Sequence, residues 1–539
     1  MKKKRDSTGS TERRTGTNLP CPKCGKPTLT RSGKTPSGKP RWECRAGGGE
    51  RNYCYTTTNP KAPYRGQSGK PKDPDANPQF KRKLGGLKRF VITAAQNATP
   101  VHQAFFSSLR QFCEFNEAEL VVIPIRYKNP TSRWTDSQEN SEVWDPALTP
   151  YLYNQRKNLN ENLILMADIK TQPTAVKPLS GLESITGHMS GIFGHTKLQM
   201  QCIATPQDRH PKILTTTGAC TVENYTDSKA GKKGEFHHSL AAIVVEIRGK
   251  KFFMRHVNAT QNGSFIDIDK EYSEKGVVDA EPALSISFGD THRAVMCPVV
   301  ERITFGEGGI VETLNPKYLV FHDLHDGLST NHHEKKNPFH QVGLRNEGMH
   351  IVEDEVRGDV EWLKKVCEGR HGVIVPSNHD DFLARWLRDQ DWRQDPENAE
   401  FYLETALHMV RTVKASTGLP HVPHPYKYWV DRLKGDAPIT CLERDQSFTL
   451  AGIELAMHGD QGPNGMRGSR ENLRRIGVKS IVGHSHSPGI EEGCYQAGTS
   501  TPLRLNYNSG PSSWLNAHVV LYANGKRAIL HIVDGEWRL

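Results

Sequence analysis

An α/β protein preceded by a small cysteine-bearing module is the fold class that the sequence predicts, on three observations. Short apolar runs recur from residue 283 onward, each ending in a polar cluster rich in Asp, Asn and His. Apolar stripes at helical spacing lie between them, as in Val352, Val356, Val360 and Leu363, or Tyr402, Ala406, Met409, Val410 and Val413. Far upstream, Cys21, Cys24, Cys44 and Cys54 fall within one short basic stretch. The chain has 539 residues, room for roughly three or four domains at ~100–200 residues each.

The elements follow in order. Residues 1–20 are charged and polar without a hydrophobic period, which predicts a disordered basic tail. Residues 21–54 hold the cysteine cluster. Residues 55–87 are rich in Pro, Gly, Lys and Asn and read as a basic flexible linker. Phe90 to Ala95 is strand-like; Phe105, Leu109 and Phe112 then repeat at helical spacing, and Glu119 to Ile125 is a second buried strand. After an irregular stretch to about Pro178 come the strand-rich segments LQMQCIAT, AAIVVEIRG and KFFMRHV. Residues 88–280 are therefore expected to form one α/β domain of open role; its His237, His238 and His256 show no ligand spacing. Residues 283–539 form the last domain, closing with two strands around a turn at Asn524-Gly525.

Charge divides the chain. The net charge is +11, yet residues 1–90 hold 23 Lys and Arg against 6 Asp and Glu, leaving 48 against 54 in the remainder. A basic arm on a slightly acidic body predicts a nucleic-acid partner, with a solubilising leader as the alternative. No apolar run approaches the ~18–20 residues that span a bilayer, and no apolar stretch follows the basic start MKKKR. Membrane and secreted classes are excluded, and a cytoplasmic protein is expected. In that reducing setting, clustered cysteines read as metal ligands and the seven scattered ones as small core residues.

Five strand ends carry the chemistry. They supply Asp290 and His292, then Asp323, then Asn378 and His379, then His458, then His484 and His486. Residues just past the carboxyl ends of strands converge on one crevice in an α/β sheet. So many imidazole and carboxylate groups crowded together need a cation, and mixed His/Asp/Asn ligation suits Mn, Fe or Zn. A lone His behind a strand is usually a satisfied cap, but five clusters in order make coincidence a poor account.

These motifs, GDTH at 289–292, HDLHD at 322–326, SNHD at 377–380, MHGD at 457–460 and GHSH at 483–486, resemble the calcineurin-like metallophosphoesterases, including the SbcD type of nuclease. His322 and Ser377 stand where that family has glycine, and NSGPSS at 508–513 is similar to its closing loop. The resemblance implies a β-sandwich with flanking helices over residues 283–539, and a two-metal site. Asp290, His292 and His486 would hold one ion, Asn378, His458 and His484 the other, with Asp323 bridging. Manganese is the first expectation, with Mg, Fe or Zn as alternatives. His379, beside a ligand, would stabilise or protonate the leaving oxygen. Asp326 would orient His379 or serve as a cap. His322, His325 and the NHHEKKN loop at 331–337 would either touch substrate phosphates or be solvated.

The cysteines give C-x2-C, a 19-residue spacer and C-x9-C, and resemble the zinc ribbons of transposases and topoisomerases. One structural zinc on Cys21, Cys24, Cys44 and Cys54 is implied, with all four thiolates needed to close the tetrahedron. Interleaved basic residues and Trp42 fit DNA contact, with a protein-contact role as the alternative. Together the parts resemble the early host-DNA-degrading nucleases of T5-like phages, which implies a metal-dependent DNase working in the host cytoplasm. Two other readings stay open: a phosphoesterase acting on phosphoproteins or nucleotides, and a DNA-binding scaffold with a vestigial metal site. Homo-oligomerisation is open as well, since no heptad or interface patch is legible.

Overall fold

The computed structural model describes residues 20, 21, 24, 26, 29–34, 39–44 and 55–57 of the N-terminal segment, and 80–539 apart from 81, 86, 126–142, 207, 210, 417 and 418. The chain divides into two compact units, Met1–Pro78 and Gln79–Leu539. The tail expected over residues 1–20 lies outside the described residues, save Pro20.

The first unit contains a three-stranded antiparallel sheet of Leu29–Lys34, Pro40–Cys44 and Tyr55–Thr57. Its third strand pairs Trp42 with Thr57 and Cys44 with Tyr55. The sheet thus extends past residue 54, the expected end of the module, as far as Thr57. The expected linker end at residue 87 is too late. Phe80 already packs edge-on against Trp144 at 5.7 Å, and Arg82 pairs with Glu119 at 3.0 Å.

The second unit is a mixed α/β body. A six-stranded sheet runs Ile439–Cys441, His371–Ile374, Tyr318–Phe321, Ser285–Ser287, Ala517–Leu521, Arg527–His531. The first four strands are parallel and the last two antiparallel. Side chains alternate across it. Ile286, Leu319, Phe321 and Val520 pack on one face against Val352, Val356, Val360 and Leu363 of the helix Val352–Val366 and Trp429 of the helix Pro425–Leu433. Val519, Leu521 and Ile529 face the other way, onto Ile453, Ile481 and Ile490 of a second sheet. The layers are thus helices, sheet, sheet.

That second sheet has ten strands, and it overturns the expected boundary near residues 280–283. Thr449–Leu450, Ile453–Glu454, Lys479–Val482, Cys494–Gln496 and Gly489–Glu491 continue directly into Gln199–Ile203, Lys212–Thr216, Ser190–Phe193, Leu163–Met166 and Arg156–Asn158. The seam is antiparallel pairing of Ile490 with Met200. The seam is closed by ion pairs: Glu492 meets Lys197 at 2.8 Å and Arg474 at 2.6 Å. A four-stranded sheet of Lys251–Asn258, Ala241–Arg248, Arg89–Gln96 and Ala118–Ile125 shares the same core through Ile92, Ile123 and Ile243. The helix Gln103–Phe115 covers its other face with Phe105, Leu109 and Phe112, the predicted β-α-β start.

The helix Ala399–Thr412 departs from its expected stripe. It buries Phe401 and Thr405, whose hydroxyl accepts from the Trp429 indole at 2.9 Å, while Val410 is 77% exposed. A buried Thr replaces the apolar residue that the periodicity led one to seek. His238 and His256 are structural: they bond the carbonyls of Thr221 and Thr216 at 2.9 and 2.8 Å.

Candidate metal centre

Each sheet delivers residues to one place. Asp290, Asp323 and Asn378 follow the strands Ser285–Ser287, Tyr318–Phe321 and His371–Ile374 of the six-stranded sheet. His458, His484 and His486 follow Ile453–Glu454 and Lys479–Val482 of the ten-stranded one. Asp290, His292, Asp323, His458 and His486 are all buried. His486 Nε2 lies 3.2 Å from Asp290 Oδ2 and 3.1 Å from His292 Nε2. Asp323 Oδ2 lies 3.1 Å from His458 Nε2 and 3.6 Å from His292 Nε2. Potential ligand atoms fall into three groups, each within 4.8 Å: Asp290, Asp323 and His486; Asp323, His458 and His484; and His292, Asp323 and His379. Asp323 belongs to all three.

The backbone is bent to achieve this. His292, Asp323, His484 and His486 have φ of 41°, 44°, 74° and 56°. Left-handed conformations cost a non-glycine residue on the order of 1–3 kcal/mol and persist where surrounding structure enforces them. Gly483 is required by close approach, since a Cβ there would sit 2.2 Å from Asp290 Oδ1 and 2.9 Å from the His322 Cβ. That same space accommodates His322 where the resembled family has glycine. Ser377, the other departure, closes its turn by donating its N–H to the Asp380 carboxylate at 2.9 Å.

The donor set fits divalent cations. Oδ1 of Asp323, Oδ1 of Asn378 and Nδ1 of His458 are buried without a hydrogen-bond partner. Left so, these groups would cost several kcal/mol. Ligand atoms ~2.0–2.2 Å from a shared ion stand about 3–3.5 Å apart, and the contacts above have that spacing. Protonation tells the same story. Burial and then the charge of Asp323 push Asp290 up to about 7. Burial opposes charge on His458, yet Asp323 holds it up at about 9. Asp323 itself is held well below the carboxylate range, burial being outweighed by His458, His379 and His292.

Neighbours hold the ligands in place. Asp326 Oδ1 takes His292 Nδ1 at 2.9 Å, and its backbone carbonyl takes His379 Nδ1 at 2.7 Å. One residue thus orients both rings, where the sequence suggested only His379. His379 Nε2 is left for the cavity. Asp359, fully buried on the helix Val352–Val366, accepts from Arg293 Nε at 2.6 Å, His325 Nδ1 at 2.8 Å and the Tyr426 hydroxyl at 3.2 Å. Sequence reasoning missed Asp359; its one signal is an acidic residue on the apolar face of an amphipathic stripe. His322 and His325 are fully buried and cannot reach a substrate phosphate; burial drives His322 down to about 3. The 331–337 loop contributes His332, whose ring packs 4.9 Å from Phe382, itself 4.8 Å from His379.

A cavity of about 690 Å³ opens on Asp323, Asn378, His379, His484 and His486. In the first unit, Cys21, Cys24 and Cys44 bring their sulfurs within 4.8 Å of one another, Cys24 and Cys44 at 3.7 Å. The Cys21 N–H closes the knuckle onto the Lys26 carbonyl at 2.8 Å. This is a group able to bind a metal; Cys54, the fourth expected ligand, lies outside the described residues. Among the described residues no helix is long and apolar enough to cross a membrane.

No family model matches the chain. It is similar to "Protein A1" of Escherichia phage T5, 32% identical over 466 residues that span 84% of this chain and 83% of that protein. The aligned length reaches far beyond the metal-centre motifs, so the likeness embraces most of the architecture rather than one motif set. On that extent and identity, the chain belongs to the family of the phage T5 protein A1.

Proposed function

We propose that the chain is a metal-dependent DNase, that residues 283–539 have the calcineurin-like metallophosphoesterase fold, and that it degrades DNA in the cytoplasm of a phage-infected host. The observation that carries the reading is the convergence on Asp323 of carboxylate and imidazole groups from two sheets, some of their polar atoms buried without a partner. The layering of helices, sheet and sheet around them and the phage relative support it.

Asp290, His292 and His486 would hold one divalent cation, Asn378, His458 and His484 a second, and Asp323 both. When bound, such a pair supplies an activated water and neutralises charge on the phosphoryl oxygens. The remaining work belongs to side chains. Asp326 fixes the His292 ring and, through its carbonyl, the His379 ring. With Nδ1–H committed to that carbonyl, His379 presents Nε2 to the cavity and can hand a proton to the leaving oxygen. Burial lowers its pKa, which makes the imidazolium a stronger acid and a scarcer form near neutral pH. The basic arm and the cysteine module supply affinity for the phosphate backbone.

The test is a substrate panel of plasmid and linear DNA, nucleoside monophosphates and a phosphopeptide, each with Mn²⁺, Mg²⁺, Zn²⁺ or EDTA. DNA cleavage dependent on Mn²⁺, abolished by Asp323→Ala and His458→Ala with DNA binding retained, is the expected result. Wild-type-like turnover in either variant under limiting metal refutes the site. Preference for the monophosphates or phosphopeptide replaces DNase by phosphatase.

A further inference from the structure

The wall of the cavity beside His486 is built from residues that no step above uses. Trp514 packs 4.1 Å from the His486 ring, and Tyr507 meets Trp514 edge-on at 5.7 Å. Both line the cavity with Arg467 and Arg470. Tyr507 and Arg467 are exposed, Trp514 and Arg470 half-buried. Among the described residues the Arg467 guanidinium, the Trp514 indole N–H and the Tyr507 hydroxyl have no hydrogen-bonding protein partner, and Arg470 reaches only the Ser487 carbonyl at 3.4 Å.

This wall is held firmly. Ser512 exchanges backbone hydrogen bonds with Thr205 at 3.0 and 2.8 Å, Ser513 Oγ meets Ser487 Oγ at 2.7 Å, and the Leu515 N–H donates to the His486 carbonyl at 3.2 Å. Arg467 is set by the turn in which Gly468 N–H donates to the Asp460 carbonyl at 2.8 Å. Aromatic rings and guanidinium groups that line one cavity, here together with Glu471, are what a strand of nucleic acid recognises: a π-face for a base and cations for phosphates. The cavity, at about 690 Å³, is large enough for a nucleotide.

We propose that this cavity holds one unpaired nucleotide of the DNA strand beside the scissile phosphate, its base against Trp514 and Tyr507 and its outer phosphate on Arg467 and Arg470. The inference rests on the phosphodiesterase reading and narrows its substrate to single-stranded or frayed DNA. A base within a duplex is stacked on both faces and has none to offer.

The test uses the full chain and a single-stranded oligonucleotide carrying 2-aminopurine, in EDTA and again with Ca²⁺. Stacking quenches 2-aminopurine; the wild type is expected to quench it at one position of the strand, W514A and Y507A to lose at least half of that quenching, and W514F to keep it. With Mn²⁺, an abasic nucleotide beside the cleaved bond is expected to lower wild-type kcat/KM about 5- to 140-fold, the equivalent of ~1–3 kcal/mol of stacking. W514A is expected to cleave intact and abasic strands equally, a ratio that its overall rate does not affect. Equal quenching by wild type and W514A, or an equal abasic penalty in both, overturns the proposal. Failure of wild type to hydrolyse either DNA or methyl p-nitrophenyl phosphate overturns the phosphodiesterase reading instead, while the fluorescence, which needs no hydrolysis, still decides whether a base enters the cavity.

Discussion

Replacing Asp326 by Asn separates metal retention from proton delivery, because this one residue serves the two through different atoms. Its carboxylate takes His292 Nδ1 at 2.9 Å, while its backbone carbonyl takes His379 Nδ1 at 2.7 Å. Asn is isosteric and leaves the carbonyl in place, so the His379 contact survives. What is lost is the negative charge behind a buried imidazole. Carboxylate partners of metal-binding histidines typically account for 10–100-fold in metal affinity, which corresponds to about 1.4–2.8 kcal/mol. His292 is fully buried and Asp326 nearly so, where solvent screening is weak, and this places the expected loss in the upper half of that range. Titration of the metal-free protein with Mn²⁺ by calorimetry, followed by DNA cleavage at rising Mn²⁺, reads the two effects apart. Half-saturation is expected to move up at least 30-fold, with kcat at saturating Mn²⁺ within about threefold of wild type. Unchanged Mn²⁺ affinity would show that the carboxylate does not support a ligand. Collapse of kcat at saturation would show that it acts on chemistry, and the division of labour would be wrong.

Three further outcomes follow from the structure. His379→Ala should keep its metal content but lose ~10²–10⁴-fold in turnover; metal analysis showing both ions lost would make His379 a ligand, as its grouping with His292 and Asp323 permits. Removing residues 1–78, the first compact unit, should lower the slope of log K for DNA against log salt by several units, at ~0.9 per phosphate contact, while sparing hydrolysis of methyl p-nitrophenyl phosphate; an unchanged slope makes the arm a spectator. Glu492 is held down to about 2, its burial outweighed by Lys197 and Arg474. Its contribution, roughly 1–2 kcal/mol after screening, is therefore present above pH ~4.5 and lost as pH falls towards 2. Denaturant titrations of wild type and Glu492→Gln should differ at pH 7 and converge near pH 2; a constant difference would refute the linkage.

The convergence of the candidate ligands was legible because each of its parts is local. A buried strand followed within a few residues by Asp, Asn or His is visible in one dimension, and the order of the five clusters reveals their convergence. What stayed hidden depends on partners far away in sequence. Asp359 lies on an apolar face with nothing in its own helix to say that Arg293, His325 and Tyr426 satisfy it. His322 and His325 look like exposed strand-end polar residues until the packing of Gly483 and Tyr426 against them is known. Trp514 and Tyr507 sit in a loop with no periodicity, so neither burial nor pairing could be assigned to them. The boundary near residues 280–283 failed for the same reason. The run LQMQCIAT reads as a strand but is silent on its pairing with Gly489–Glu491, nearly three hundred residues away.

That pairing assigns a task to residues 88–280, whose role the sequence left open. The ten-stranded sheet supplies His458, His484 and His486, and half of its strands come from the earlier segment. Strands as short as Ile453–Glu454 and Gly489–Glu491 bury too little surface to hold a sheet by themselves. Joined to Gln199–Ile203, they belong to a layer whose other face is closed by its own cluster of Ile164, Met166 and Phe193. The left-handed turns at His484 and His486 are strained, and a strained turn survives only on a frame stiff enough to enforce it. Cys202 lines the cavity and Thr205 braces the loop that bears Trp514. The earlier segment is therefore part of the frame and rim of the candidate metal centre, and the two regions are one folding unit because neither completes the sheet alone.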